Sequence, residues 1–278
     1  MQGDHLLFRI EAPHREWDRL AGELFELGTL GIEERSGEGL LAYFTPEPGT
    51  ERAVLALADP ARGIRVSAAT RLPPRDWERV WREGLAARRV AGLWIRPSWV
   101  PSEGTPEIQI DPAQAFGSGE HATTRLALEL LLGSLERGDR VLDFGTGSGI
   151  LALAALRSGA GSAVGIDVER VACENAASNA RRNALAPAWV CGSLDGIARQ
   201  ARFDVAVANL LWSRLRPWLP RLAGHAKRCL VLSGYLYAER SSLARALGEL
   251  GLEMLEERQE SQSGDVWCAS RVSQPPAR

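Results

Sequence analysis

Along the first quarter of the chain the apolar positions keep two different periods. Leu6, Phe8 and Ile10 alternate with Leu7, Arg9 and Glu11, the two-residue period of a half-buried strand. Trp17, Leu20, Ala21, Leu24 and Phe25 then fall on one helical face, and Gly28 stands where a helix C-cap belongs. Two short strand-like runs follow over 30–35 and 40–45, separated by Ser36, Gly37 and Gly39. Residues 52–59 have the pattern of a helix and 63–70 that of a strand. This β-α-β-β-α-β order predicts a small ferredoxin-like α+β domain over residues 1–70. Such a module carries no chemistry of its own, so its expected role is binding.

Pro73-Pro74 interrupts the pattern, and 75–89 carry Trp77 and Trp81 four residues apart on an otherwise charged helix. The spacing makes 71–100 a linker with a helix that docks through its tryptophans, as packing groups rather than ligand contacts. From Glu107 the pattern changes again. A strand-like run at 108–110, a glycine-bearing loop and a helix over 123–135 precede strands near Val141, Val164, Trp189, Val205 and Leu230. Helical segments alternate with those strands, which predicts a doubly wound, Rossmann-like α/β domain over 101–278. The runs 252–257 and 266–272 flank Gly264-Asp265, a C-terminal β-hairpin closing the sheet, and the tail from Pro275 is expected to fray.

A length of 278 residues suits two domains, and 45% apolar content suffices for two cores. The formal charge of −2 argues against a protein that coats nucleic acid. Cys173, Cys191, Cys229 and Cys268 form no C-x-x-C pair, which disfavours a zinc knuckle; reduced thiols in a cytoplasmic protein are expected. The N-terminal residues lack a signal-peptide pattern, and no run approaches the ~18 apolar residues of a membrane span. Lys227 is the only lysine, which coding bias explains. Residues 1–70 hold seven arginines against twelve acidic residues, a net of −5, whereas 71–100 hold seven against three, a net of +4. The first value favours docking to a basic protein over RNA, although a solvated charged face explains both almost as well.

The candidate chemistry starts at Val141-Leu142-Asp143-Phe144-Gly145-Thr146-Gly147-Ser148-Gly149, a buried strand entering a glycine loop and then the apolar helix 150–156. Glycines permit close backbone approach, and a helix N-terminus offers amides to a carboxylate or phosphate. The spacing is G-x-G-x-G, and Asp143 suits the ammonium of an amino-acid ligand better than a pyrophosphate. Asp167 ends the next strand, where a carboxylate accepts both hydrogen bonds of a ribose; capping of the helix near Arg170 is the plainer alternative. Leu194 follows the third strand, where a loop borders a nucleobase. Asn209 ends the fourth strand at the carboxyl edge, where doubly wound folds keep reacting groups, although asparagine is also a common turn residue. His121 has the position of a base, but loop packing suits it better. These features describe a nucleoside with an amino-acid tail.

The stretch Asp111-Pro112-Ala113-Gln114-Ala115-Phe116-Gly117-Ser118-Gly119-Glu120-His121-Ala122-Thr123-Thr124, the glycine motif and Asn209-Leu210-Leu211 together resemble the bacterial methyltransferases of large-subunit ribosomal protein L-eleven. The family loop is approximately D-P-G-x-A-F-G-T-G-x-H-x-T-T, so this chain departs at Ala113 and Ser118, both small-for-small changes. Asp76-Trp77, Trp81, Arg96-Pro97-Ser98-Trp99 and Trp267-Cys268 extend the resemblance over most of the chain. It implies a class I, S-adenosylmethionine-dependent protein methyltransferase acting on α-amino and lysine ε-amino groups, and it carries over Thr124, Gly145, Asp167 and Asn209 as cofactor-binding positions, with Phe116 in a loop against the cofactor. Asp143, Gly147 and Leu194 complete the cofactor set from the residue reading, and Asn209 is the candidate catalytic group. The implied partner is the ribosomal protein, met by a monomer without membrane or direct nucleic-acid contact. An RNA methyltransferase, a lysine methyltransferase of another protein and a cofactor-binding module without catalysis are the rivals; a nicotinamide-dependent oxidoreductase fits the glycine spacing poorly.

Overall fold

The computed structural model describes residues 4–35, 39–72, 85–111 and 119–273. The chain divides into two compact units, 1–84 and 85–278. In the first, β1 (His5–Glu11) buries Leu6, Phe8 and Ile10 on one face, as strand alternation requires. α1 (Trp17–Glu26) buries Leu20 and Leu24 in the same core. It ends in a Schellman motif: Gly28 N–H donates to the Phe25 carbonyl and Thr29 N–H to that of Leu24, with Gly28 at φ +81°.

β2 (Gly31–Arg35), β3 (Gly39–Phe44), α2 (Thr50–Leu55), β4 (Arg65–Val66) and β5 (Thr70–Leu72) follow. The antiparallel sheet has the order β2-β3-β1-β4, and β5 also pairs with β1. The single strand expected over 63–70 is split at Ser67. Its N–H donates to the Arg9 carbonyl while its hydroxyl accepts from Arg9 N–H at 2.9 Å, so a side chain replaces a ladder carbonyl. α2 stops short of the 52–59 expected, because Asp59 accepts the Ala61 and Arg62 amides and caps a separate 3-10 turn.

In the second unit β6 (Arg88–Val90), β7 (Leu93–Arg96) and β8 (Glu107–Gln109) form a three-stranded sheet. Two of these strands lie within the expected linker 71–100. Val90, Leu93 and Ile95 belong to one core cluster with Ile108 and Ile110, but runs of three or four residues are too short to show a period. Trp77 and Trp81 lie outside the described residues.

The main sheet has the order β11 (Ala188–Cys191), β10 (Ser162–Asp167), β9 (Arg140–Phe144), β12 (Phe203–Asn209), β13 (Ala226–Leu236), β15 (Asp265–Ser273), β14 (Glu253–Gln262). The first five strands are parallel, and β15 runs antiparallel to both of its neighbours, β13 and β14, so the sheet is mixed. Val141, Val205, Val207 and Val231 pack on one face with α3 (Ala122–Ser134) and α4 (Ile150–Arg157), joined by Ala180 of α5 (Arg170–Arg182). Leu142, Ala206, Ala208, Leu230 and Leu232 pack on the other with α6 (Trp212–Leu215), α7 (Leu219–His225) and α8 (Arg240–Glu249). Burial on both faces is why these strands are continuous apolar runs. The hairpin turns at Ser263-Gly264, both with positive φ, one residue earlier than expected and between longer strands. Among the described residues no helix is long and apolar enough to cross a membrane. Strand order reverses between β9 and β12, which puts a crevice at their carboxyl ends.

Candidate active site

The turn leaving β9 is built on three glycines at alternate positions. Gly145, Gly147 and Gly149 have φ of +77°, +53° and +84°. A Cβ on Gly145 would stand 2.5 Å from Leu210 Cδ2, inside any tolerable contact. The amides of Gly145 and Thr146 both donate to the Ile166 carbonyl at 2.9 Å, and Gly149 N–H donates to the Thr146 carbonyl. Gly147 N–H donates to Asp167 Oδ2 at 2.9 Å. The turn therefore spends these amides within the protein, three of them on β10, and its glycines serve close approach rather than a cluster of free donors.

Asp167 is held by one backbone amide at each oxygen, Gly147 at Oδ2 and Glu169 at Oδ1, the latter at 3.0 Å. A carboxylate has about four lone-pair sites, so the orientation is fixed while accepting capacity remains. Asp167 is not the cap of the helix beginning at Arg170: the N-cap is Glu169, without a side-chain cap, and Asp167 Oδ1 takes only the amide of Glu169 itself.

Asp143 is fully buried. Its Oδ2 accepts from the Thr146 hydroxyl at 2.6 Å and from Ala152 N–H at 3.2 Å, tying the glycine turn to α4. Burial pushes its carboxyl up to about 7, against the two hydrogen bonds, which favour the charged form. Its Oδ1 has no partner among the described residues.

A cavity of about 710 Å³ opens at this edge of the sheet, walled by Gly145, Gly147, Asp167, Asn209, Leu210, Trp218, His121 and Trp267 among others. Asn209 donates through Nδ2 to Thr124 Oγ1 at 3.3 Å, while its buried Oδ1 has no partner among the described residues. Thr124 is fully buried at the start of α3. His121 caps the same helix: its Nδ1 accepts Thr123 N–H at 3.3 Å and lies 2.8 Å from the Thr123 hydroxyl. Its ring meets Trp267 edge to face at 4.9 Å. Burial, with the Arg125 guanidinium, holds the imidazole below its ordinary range. Trp218 meets Phe144 at 5.9 Å and 63°.

The structure thus brings Gly145, Gly147, Asp167 and Asn209 to one cavity, with Thr124 directly behind Asn209. Asp143 and Leu194 are not on its wall: the first lies beneath the turn, and the second is fully buried in the core under β9 and β12. Phe116 lies outside the described residues. Sequence reasoning passed over Trp218, for which no spacing gives a signal, and Gly165. A Cβ on Gly165 would stand 2.3 Å from the Trp189 ring and 2.8 Å from the Thr146 hydroxyl. An isolated glycine inside a strand pattern was the available signal. Among the described residues no group of three or more His, Cys, Asp or Glu is placed to hold a metal ion.

The family model for ribosomal protein L11 methyltransferase matches residues 25–273. The ribosomal protein L11 methyltransferase of Pasteurella multocida is 34% identical over 94% of this chain and 96% of its own length. That of Thermus thermophilus is 34% identical over 92% and 96%. Among solved structures, the ribosomal protein L11 methylase of Lactobacillus delbrueckii subsp. bulgaricus superposes with a TM-score of 0.62 at 28% identity, covering 68% of this chain and 98% of that one. The mixed seven-stranded sheet is accordingly a class I methyltransferase fold, and the chain belongs to the ribosomal protein L11 methyltransferase family.

Proposed function

We propose that this chain methylates α-amino and lysine ε-amino groups of ribosomal protein L11 with S-adenosylmethionine, as a cytoplasmic monomer. One observation carries the reading: the glycine turn, the Asp167 carboxylate and the Asn209 side chain line one cavity at the reversal of strand order. The residues fit a nucleoside bearing an amino-acid tail. Asp167 keeps lone pairs for ribose hydroxyls, and Gly145 and Gly147 present bare backbone on the cavity wall. Asn209 Oδ1 is a buried acceptor with no donor among the described residues, a costly state that a ligand N–H relieves.

When bound, S-adenosylmethionine supplies an electrophilic methyl group whose transfer discharges the sulfonium. The protein's part is alignment, since no strong acid or base is needed to displace a neutral sulfide. The acceptor amine must be neutral, and a free lysine titrates near ~10.4. A wall made by Phe144, Leu210 and Trp218 disfavours the ammonium form by desolvation. Asn209, steadied through Nδ2 by Thr124, accepts an amine N–H at Oδ1 and turns the lone pair toward the methyl carbon. His121 packs the entrance against Trp267, and its engaged Nδ1 supports that role over general base.

Residues 1–70 act as the recognition module, and the catalytic domain begins with β6, so the linker is shorter than the 71–100 read from the sequence. The antiparallel order β2-β3-β1-β4 supports a ferredoxin-like reading of the module. Its net charge of −5 favours a basic protein over RNA. Incubation with labelled cofactor and either purified L11 or ribosomal RNA, followed by mass spectrometry of the protein, tests the whole reading. Label is expected at amino groups of L11; label in RNA alone, or in neither despite tight cofactor binding, overturns it.

A further inference from the structure

α5 carries asparagines at 175 and 179, and its C-cap residue is Asn183, so the three follow at four-residue intervals. Two of them treat the segment leaving β8 as a neighbouring strand would. Asn183 Oδ1 accepts Gln109 N–H at 2.8 Å, and its Nδ2 donates to the Gln109 carbonyl at 2.7 Å. Asn179 Oδ1 accepts Asp111 N–H at 3.0 Å, and its Nδ2 donates to the Asp111 carbonyl at 3.3 Å. Between them Ile110 N–H points the other way, to the Arg96 carbonyl. The match is geometric: four helical residues rise about 6 Å and two strand residues about 6.7 Å, so successive amides meet alternate strand residues.

The two rungs differ in what else each amide holds: Asn183 Nδ2 also donates to the Asn179 carbonyl at 2.8 Å, inside the helix. Asn179 Nδ2 also donates to the Ser148 carbonyl at 3.0 Å, inside the glycine turn, and Asn179 is fully buried. Ser148 follows Gly147, whose amide orients Asp167. Asp111 is fixed independently: its carboxylate accepts Ser98 N–H, the Ser98 hydroxyl and Arg182 Nε at 2.7–2.8 Å. Asn183 makes no such bond to the turn.

We propose that Asn179 is a positioning residue for the nucleoside site, coupling the Asp111 backbone to the glycine turn, and that Asn183 is its structural counterpart without that coupling. The inference rests on the cofactor reading of the cavity. Asn179→Ala is expected to weaken S-adenosylhomocysteine binding, read by calorimetry, by at least about tenfold. It should raise KM for S-adenosylmethionine more than it lowers kcat. Asn183→Ala, which loses its own pair of bonds to the Gln109 backbone and the bond to the Asn179 carbonyl, is expected to lower Tm at least comparably while leaving that affinity within about twofold. Equal affinity losses in the two variants, or none in Asn179→Ala, overturn the proposal.

If Asn179→Ala does not fold, amide exchange in the wild-type protein supplies the same test. Adding S-adenosylhomocysteine should slow exchange at Asp111, which does not line the cavity, and leave Gln109 unchanged. An unchanged Asp111, or an equal effect at Gln109, overturns it. A wild-type protein that binds no S-adenosylhomocysteine would instead defeat the cofactor reading itself.

Discussion

Two turns leave the sheet on either side of the strand-order reversal, and they are finished to different degrees. After β9, the amides of Gly145, Thr146, Gly147 and Gly149 all have partners inside the protein, and the Asp167 carboxylate is already oriented. After β12, Asn209 has a partner at Nδ2 and, among the described residues, none at Oδ1, and Leu211 stands 53% exposed nearby on the cavity wall. The first turn is rigid before a ligand arrives, so it sets where the ligand sits. The second retains an unmet acceptor and an uncovered apolar surface, so it is where bound groups complete the structure. Binding and turnover should therefore separate along the same line.

The largest test of that separation is Asn209→Ala. Removing one preorganised polar contact to a reacting group typically costs about 10²–10³-fold in rate. Turnover on L11 should fall by that order, while S-adenosylhomocysteine affinity, measured by calorimetry, should drop by less than about tenfold. Equal losses in both readings would mean that the two turns do not divide the work. Asp167→Ala is the converse. It removes an acceptor for two hydroxyls and leaves the Gly147 and Glu169 amides unpaired, so affinity should fall by about 100-fold, the equivalent of roughly 2.7 kcal/mol. Saturating cofactor should restore much of the rate; a rate that stays low at saturation would move Asp167 into the chemistry.

The same contrast marks what was legible in the chain beforehand. The turn after β9 announces itself because its demands are local: three glycines at alternate positions, a carboxylate before them and another at the end of the next strand. Asn209 stands out only because a buried parallel strand ends on it. What surrounds these groups depends on partners far away in the sequence. Gly165 must lack a side chain because of the Trp189 ring, and Trp218 reaches the cavity by packing on Phe144. Leu194 was assigned to the nucleobase by position, yet its side chain turns into the core under β9 and β12. Asn179 and Asn183 lie on a helix whose polar face looks solvated until the strand it covers is known. In the first unit the alternation of Leu6, Phe8 and Ile10 sufficed for β1, whereas a single hydroxyl at Ser67 broke the last strand below the reach of any pattern.

A smaller effect is expected one step behind Asn209. Thr124 accepts its amide at 3.3 Å, a long bond, and Thr124→Val keeps the shape while removing the acceptor. A typical net hydrogen bond is worth about 0.5–1.5 kcal/mol, so kcat should fall by roughly two- to tenfold with cofactor affinity nearly unchanged. A loss as large as that of Asn209→Ala would show that the threonine acts on the reactants directly.

Asp143 gives the subtlest test, because it belongs to the finished turn yet carries a cost. Its carboxyl is pushed from the ordinary 3.8 up to about 7 by burial, with the Thr146 and Ala152 hydrogen bonds opposing. With the folded value raised, the unfolded chain gives up its proton first as pH rises. The native state therefore binds more protons between about pH 4 and 7, and stability from this group is lost across that window. Asp143→Asn is neutral at every pH and retains an acceptor for both donors. The melting temperature of the wild-type protein should fall from pH 4 to 7 relative to the variant, with the gap widening steadily and cofactor affinity little changed. Parallel melting curves would mean that the carboxylate is charged in the folded state, with a counter-charge reaching its unpaired Oδ1, and the first turn would then be no more complete than the second.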